Sequence, residues 1–185
     1  RTATVSNGRA DLDLVAHLPA VLRVYGSLPE ADRRAIAECA RTMCPGMSHF
    51  AARAAARPPA SPYLDTEAEL NEYCFAVAGC VGVMLTRLFS ARVPAKHPEA
   101  EALRLELAPI VGEALQLTNI FLDWPVDIRR GRCFVPASWL AEHGLAPGDL
   151  VGRDHPGVRA LAARLESRAR ASLARVPEYL ALIPF

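Results

Sequence analysis

Apolar residues recur along most of this chain at intervals of three and four, the spacing of one face of an α-helix. Prolines and glycines punctuate the runs. Asp11–Tyr25 carries Leu14, Leu18, Val21, Leu22 and Tyr25 at that spacing, with Pro19 inside as a bend or a restart. Gly26–Pro29 breaks the pattern. Pro29 then opens a second helix with Glu30 and Asp32 in its first turn and an apolar face of Ile36, Ala37, Ala40 and Met43. Cys44-Pro45-Gly46-Met47 interrupts the periodicity, and Met47, Phe50, Ala51 and Ala54 resume it as far as Arg57. A loop holding Pro58, Pro59 and Pro62 follows. Thr66, with Glu69 three residues on, predicts a capping box for the next helix.

The spacing predicts a helix from Glu67 to about Ser90, on which Tyr73, Val77, Val81 and Leu85 share one stripe. Ala78, Gly79 and Gly82 are small enough there for a close helix approach or for a ligand. After a polar loop at 91–98, a long helix runs from about Pro98 or Glu99 with Leu103, Leu107, Ile110 and Val111 apolar; Pro109 kinks or divides it. Gly131 marks its end. A short helix begins at Pro136–Glu142, Pro147-Gly148-Asp149 forms a turn, and a last helix opens at Pro156 and is interrupted at Pro177. The tail Tyr179–Phe185 is apolar enough to need a cover, from helices absent from this sequence. The pattern is all-α in one domain over 1–185.

Composition narrows this picture. Residues of the hydrophobic class make up 51% and aromatics only 6%, so Ala and Leu do most of the packing, which favours helices. No glycine pattern for a dinucleotide or phosphate loop occurs. The net charge of +1 calls for no nucleic acid. The five cysteines have no paired zinc spacing and an odd count, so a reducing compartment is expected, with Cys74 and Cys80 packed inside a helix. No signal peptide and no charge-free stretch of membrane-spanning length is visible. Arg1 is not an initiator Met, and a processed or excised chain is expected.

One stretch departs from ordinary core chemistry. In Gly112–Arg132, Asn119, Asp123 and Asp127 recur every four residues, Gln116 lies three before Asn119, and all four fall on one side of a helix. Ala114–Leu122 is otherwise almost wholly apolar, and an amide and two acids on such a run need partners. Two carboxylates one turn apart can hold a hard divalent cation. Arg129, Arg130 and Arg132 follow at once with rigid donors for phosphate. Together they suggest a Mg²⁺–diphosphate site. The plain alternative is an amphipathic helix whose solvated face carries two acids, and spacing alone leaves both readings open.

At Tyr73–Phe89, YCFAVAGCVGVMLTRLF, and Gln116–Pro136, QLTNIFLDWPVDIRRGRCFVP, the chain resembles the squalene and phytoene synthase family, head-to-head trans-isoprenyl diphosphate synthases. Met43–Phe50 and the final helix fit as well. The resemblance implies an isoprenoid synthase-type helical bundle around an apolar cavity. It implies two aspartate-rich motifs that bind Mg²⁺ and the diphosphates of farnesyl or geranylgeranyl diphosphate. Asp123 and Asp127 match the second motif, and Asn119 matches a metal-holding asparagine. Gln116 matches a polar residue facing the cavity, while Val77 and Val81 belong to its apolar wall. Tyr73 matches the tyrosine that assists formation and rearrangement of a cyclopropyl intermediate, and Arg129 and Arg132 match the basic segment near the diphosphates.

The implied reaction leads to squalene, dehydrosqualene or phytoene, with NADPH used only for squalene. A cytoplasmic or membrane-peripheral location is implied, because the substrate is amphipathic. The departures are specific. The first acidic motif should precede residue 1, and Asp11 and Asp13 are no substitute for it. Leu122 replaces the usual Arg and Val126 the usual internal Glu. The closing helices are expected beyond Phe185, so the bundle is expected to be incomplete at the N-terminus and at the C-terminus. Three alternatives stand beside a piece of a complete enzyme. One is a short relative that binds prenyl diphosphate without turnover or needs a partner. Another is a purely structural helical protein. The third, a head-to-tail chain elongase, fits the Tyr73 segment poorly.

Overall fold

The computed structural model describes residues 15–58, 60–95, 97–152 and 154–183. Among them the chain is helical without a strand, as the apolar periodicity predicts; one isolated bridge pairs Pro62 with Cys133. The loop expected at 1–10, the first residues of the helix expected from Asp11, and Asp11 and Asp13 themselves lie outside the described residues.

Helix α1 (Leu18–Ser27) begins where Pro19 falls in the first turn. A missing N–H costs no bond there, so Pro19 starts this helix instead of bending it. The inner face expected for it is not covered: α1 buries none of its residues. Its anchor is Tyr25, whose hydroxyl donates to the Arg33 carbonyl at 2.9 Å.

Helix α2 (Glu30–Ala55) runs unbroken through Pro45, against the expected interruption at 44–47. Proline removes one backbone bond on an exposed flank. Beside it Gly46 presses against Ala76, where an added Cβ would stand 2.6 Å from the Ala76 Cβ. That contact needs the helix intact. The buried residues are Asp32, Ala35, Cys39 and Phe50, while Ala40 is exposed, so the inner face is rotated from the expected stripe.

Helix α3 (Glu67–Cys74), a π-helical turn (Phe75–Gly79) and α4 (Cys80–Ser90) form one continuous rod. Thr66 caps it by accepting from the Glu69 N–H at 3.3 Å. The Glu69 carboxylate takes the Asp65 N–H, one residue before the cap, and pairs with Arg53 of α2. The long α5 (Pro98–Arg129) continues through Pro109 and Pro125 without a break. Short α6 (Ala137–Glu142), a 3₁₀ turn (Pro147–Leu150), α7 (Pro156–Leu173) and α8 (Val176–Ala181) complete the described chain. Pro177 lies in the first turn of α8 and opens it.

The rod and α5 cross in backbone contact, as the small residues predicted. A Cβ on Gly82 would meet the Ala108 carbonyl oxygen at 2.2 Å, and one on Gly112 would meet the Ala78 oxygen at 2.3 Å. Below this crossing the main core gathers Trp139, Leu64, Leu70, Leu117, Leu161 and Leu165 with Cys74 and Cys133. A second core forms around Leu107, Ala108 and Tyr179, with Leu182 and Ile183 packed on it. Within the tail, Tyr179 is thus buried and Leu182 and Ile183 are partly covered by this core, while Leu180 stays exposed. Tyr179 shares a 2.7 Å hydrogen bond with Thr86, and buried Arg104 donates to the Leu182 carbonyl at 2.7 Å.

By length and composition alone, Glu67–Ser90 and Pro98–Arg129 could each cross a membrane. Both carry charged residues, and in this fold they are the two helices that meet at Gly82 and Gly112.

Candidate active site

The polar face of α5 is built by helix spacing and finished by its C-terminal turn. Asn119 and Asp123 are exposed on it, and Gln116 and Asp127 are half-buried. Gly131 follows with φ +73°, a conformation glycine adopts without steric cost. This closes a Schellman turn: Arg132 N–H bonds the Asp127 carbonyl at 2.8 Å and Gly131 N–H the Ile128 carbonyl at 3.0 Å. The chain thus folds back, and the Arg132 guanidinium comes near enough to oppose in part the rise that burial and Asp123 give the Asp127 carboxyl.

Tyr73 stands opposite, at the end of α3 and just before the π turn. Its ring stacks on Phe134 at 5.1 Å and meets Phe50 edge-on at 5.4 Å; Phe134 in turn meets Tyr63 at 5.0 Å. Two loops make this cluster. Tyr63 N–H bonds the Cys133 carbonyl at 2.8 Å and Ala137 N–H the Leu64 carbonyl at 2.9 Å, which lays 62–65 along 133–138. Burial pushes the Tyr73 phenol up to about 12; Cys74, Asp127 and Tyr63 add to this and Arg132 opposes it. Tyr73 is therefore a neutral phenol across the neutral pH range.

Two apolar cavities adjoin this polar end. The first, about 470 Å³, has Tyr73, Val77, Arg132 and Phe134 in its wall. The second, about 410 Å³, is lined by Val77, Val81, Leu85, Gln116 and Asn119 among others. Val77 belongs to both. The stripe read from sequence, Tyr73–Val77–Val81–Leu85, is thus the cavity-facing side of the rod.

Oxygen ligands are what a hard cation takes, and Asn119, Asp123 and Asp127 supply them on one face. Burial and the neighbouring Asp123 carboxylate raise the Asp127 carboxyl above its ordinary value, against Arg132 and Arg130. A cation between the two acids would relieve that repulsion, so the set fits one flank of a Mg²⁺ site. Among the described residues no cluster of three or more His, Cys, Asp or Glu converges on a metal position. Water or phosphate oxygens would complete such a shell.

The arginines divide. Arg129 and Arg132 are both exposed, but Arg132 lies in the wall of the first cavity beside Tyr73, whereas Arg129 lines neither cavity. Ion pairs occupy many arginines elsewhere, as in Arg53–Glu69 and Arg168–Glu67; Arg129, Arg130 and Arg132 have no ion-pair partner among the described residues. Sequence reasoning missed Phe134 and Tyr63. Phe134 was within reach, two residues beyond Arg132 in the same motif. Tyr63 carried no signal, because only the loop pairing brings it here.

A family model described as squalene/phytoene synthase matches residues 2–185. Phytoene synthase of Thermus thermophilus is 45% identical over 109 residues, 58% of this chain and 35% of that protein. Squalene synthase of Schizosaccharomyces pombe is 31% identical over 145 residues, 78% of this chain and 31% of the relative. Among solved structures, a ligand complex of TcSQS superposes with a TM-score of 0.80 at 26% identity, over 99% of this chain and 51% of the other. A ligand complex of a dehydrosqualene synthase gives 0.58 at 28% identity, over 75% and 45%. The chain spans about a third of the length of these curated relatives and about half of the solved chains. Matched along nearly its whole length by that family model and sharing the helical fold of these synthases, the chain belongs to the squalene/phytoene synthase family.

Proposed function

We propose that this chain supplies one aspartate half and the apolar wall of an active site that condenses two prenyl diphosphates head to head. One observation carries the reading: Asp123, Asp127 and Arg132 form a polar end that passes through Tyr73 and Val77 into apolar cavities. A prenyl diphosphate has that polarity, a polyanion on a long hydrocarbon. The family's use of prenyl diphosphates and a divalent metal agrees with it.

In this reading Asn119, Asp123 and Asp127 hold Mg²⁺. The bound ion supplies charge neutralisation for the departing diphosphate. Arg132 donates to the same phosphate oxygens, which lowers the barrier as negative charge builds there. The allylic C1–O bond breaks, and the double bond of the second prenyl chain attacks the resulting cation. A proton is then lost and a cyclopropyl diphosphate forms. Tyr73, as a neutral phenol beside Phe134, presents an oxygen and an aromatic face to the cation without a competing negative charge. Val77, Val81 and Leu85 exclude water, so the cation meets the second chain before it meets a hydroxyl.

Rearrangement then leads to phytoene or dehydrosqualene, or with hydride from NADPH to squalene. In this reading the protein is cytoplasmic or membrane-peripheral, because its substrates are amphipathic. Among the described residues the metal set lies on one helix, and this favours a second reading, in which this chain binds prenyl diphosphate and depends on another segment or partner for turnover.

The deciding experiment incubates the protein with Mg²⁺ and farnesyl or geranylgeranyl diphosphate, with and without NADPH, and identifies products by mass spectrometry. A long-chain hydrocarbon or its cyclopropyl precursor, lost in Asp123→Ala, is the expected result. Mg²⁺-dependent binding without product supports the second reading. Neither binding nor product sinks both.

A further inference from the structure

The second cavity does not end the apolar path. A third cavity of about 440 Å³ lies beyond it, and the two have Phe89 and Tyr179 in common. Three cavities therefore follow one another along the rod of α3, the π turn and α4. Val77 stands between the first two, and the Phe89–Tyr179 pair stands between the last two. The two residues of that pair differ in freedom. Tyr179 is only 7% exposed and is fixed by its 2.7 Å bond to buried Thr86. Phe89 is 46% exposed and held by no such bond. At the far side of the third cavity Arg104 is buried and bonded to the carbonyls of Leu182 and Val93.

We propose that Phe89, backed by Tyr179, is the stop that limits the prenyl chain to geranylgeranyl length. The inference rests on the head-to-head reading above and adds the element that sets its substrate length. The distances support it. Val77 to Phe89 is twelve residues, about 18 Å of helix at ~1.5 Å per residue. An extended hydrocarbon with bonds of about 1.5 Å advances roughly 1.25 Å per bond, so a farnesyl chain spans about 14 Å, geranylgeranyl about 19 Å and geranylfarnesyl about 24 Å. A farnesyl chain whose head lies level with Val77 ends short of Phe89. A geranylgeranyl chain ends against the ring. The next isoprene unit has to pass between Phe89 and Tyr179 into the third cavity, and the benzyl group of Phe89 blocks that passage. Without it, the second and third cavities join into one apolar trough.

Calorimetric titration of the intact chain with Mg²⁺ and the non-hydrolysable thiolodiphosphates of farnesyl, geranylgeranyl and geranylfarnesyl tests this. For the wild type, the first two are expected to bind within about threefold of each other and the third at least about tenfold more weakly. Phe89→Ala is expected to bring geranylfarnesyl to within about threefold of geranylgeranyl while leaving farnesyl affinity within about twofold of wild type. Phe89→Trp should act the other way and weaken geranylgeranyl more than farnesyl. Equal binding of all three lengths by the wild type, or discrimination that survives Phe89→Ala, overturns the stop and leaves the head-to-head reading standing. Failure of the wild type to bind any of the three overturns both.

Discussion

The backbone N–H of Arg132 bonds the carbonyl of Asp127 at 2.8 Å, across a glycine with φ +73°. A metal-ligand candidate and a phosphate-donor candidate are thereby set side by side by one helix-terminating turn, not by tertiary packing. Replacing Gly131 tests how much the site owes to that turn. Any L-residue there meets a left-handed penalty of about 1–2 kcal/mol. Gly131→Val should lower stability by that amount in urea titrations and weaken Mg²⁺-dependent binding of a farnesyl thiolodiphosphate. Unchanged binding would separate the turn from the site.

Arg132 and Arg129 make a controlled pair. Both are exposed; the first lines the Tyr73 cavity and acts on Asp127, and the second does neither. Charge-assisted bonds to phosphate contribute about 1.5–3 kcal/mol. Arg132→Ala is accordingly expected to cost roughly tenfold or more in thiolodiphosphate affinity, and Arg129→Ala under about threefold. The same calorimetric titration reads both, and equal losses would show a diffuse basic patch instead of a directed donor.

Asp127 carries opposite demands. Its carboxyl is raised by burial and by Asp123, so the folded state holds a proton more tightly than the unfolded chain does. Stability from this group falls as pH rises above the ordinary carboxylate range. Asp127→Asn is expected to raise the melting temperature at neutral pH and to abolish the further rise that Mg²⁺ and ligand give the wild type. A lower melting temperature for Asp127→Asn would mean that the carboxylate is a structural asset.

Glu69 has the reverse sign. The paired Arg53 guanidinium, more than any other group, holds its carboxyl at about 2 against an ordinary 4.5. In that window the unfolded chain binds more protons, so stability is full above about 4.5 and is lost as pH falls towards about 2. Glu69→Gln should flatten that stretch of the stability–pH curve and cost about 1–2 kcal/mol near neutrality. Urea midpoints measured at intervals from pH 7 to about 3 would show it.

The crossing of the rod over α5 leaves no room for a methyl group. Gly112→Ala puts a carbon 2.3 Å from the Ala78 carbonyl oxygen, backbone that cannot step aside. A loss of about 1–3 kcal/mol is expected. Gly148→Ala meets nothing within 4 Å and serves as the control, within about 0.5 kcal/mol of wild type.

Much of this arrangement was legible in the sequence, for a definable reason. The acid–amide stripe of α5 and the Tyr73–Val77–Val81–Leu85 stripe are both periodic signals, and helix geometry turns period into direction. Pro45 misled, because packing overrode local propensity: it lies inside an unbroken helix where Gly46 seats on Ala76, whereas Pro19 and Pro177 stand at helix starts after a break, as a restart and an interruption predict. What could not be read was assembled by loops. Tyr63 joins Phe134 and Tyr73 through a backbone pairing with Cys133, seventy residues away, and buried Arg104 is held by the carbonyls of Leu182 in the tail and Val93 in a loop. Neither has a period.

The π-helical turn Phe75–Gly79 constrains how this gene can drift. Its widened coil accommodates one residue more than a regular helix over the same rise. Deleting a residue there would restore an ideal helix and rotate everything before it by about 100° relative to α4. Tyr73 would swing off the cavity while Val81 and Leu85 stayed on it. A single-codon deletion in this segment is therefore not a tolerable change, although it leaves a better helix than the one it removes.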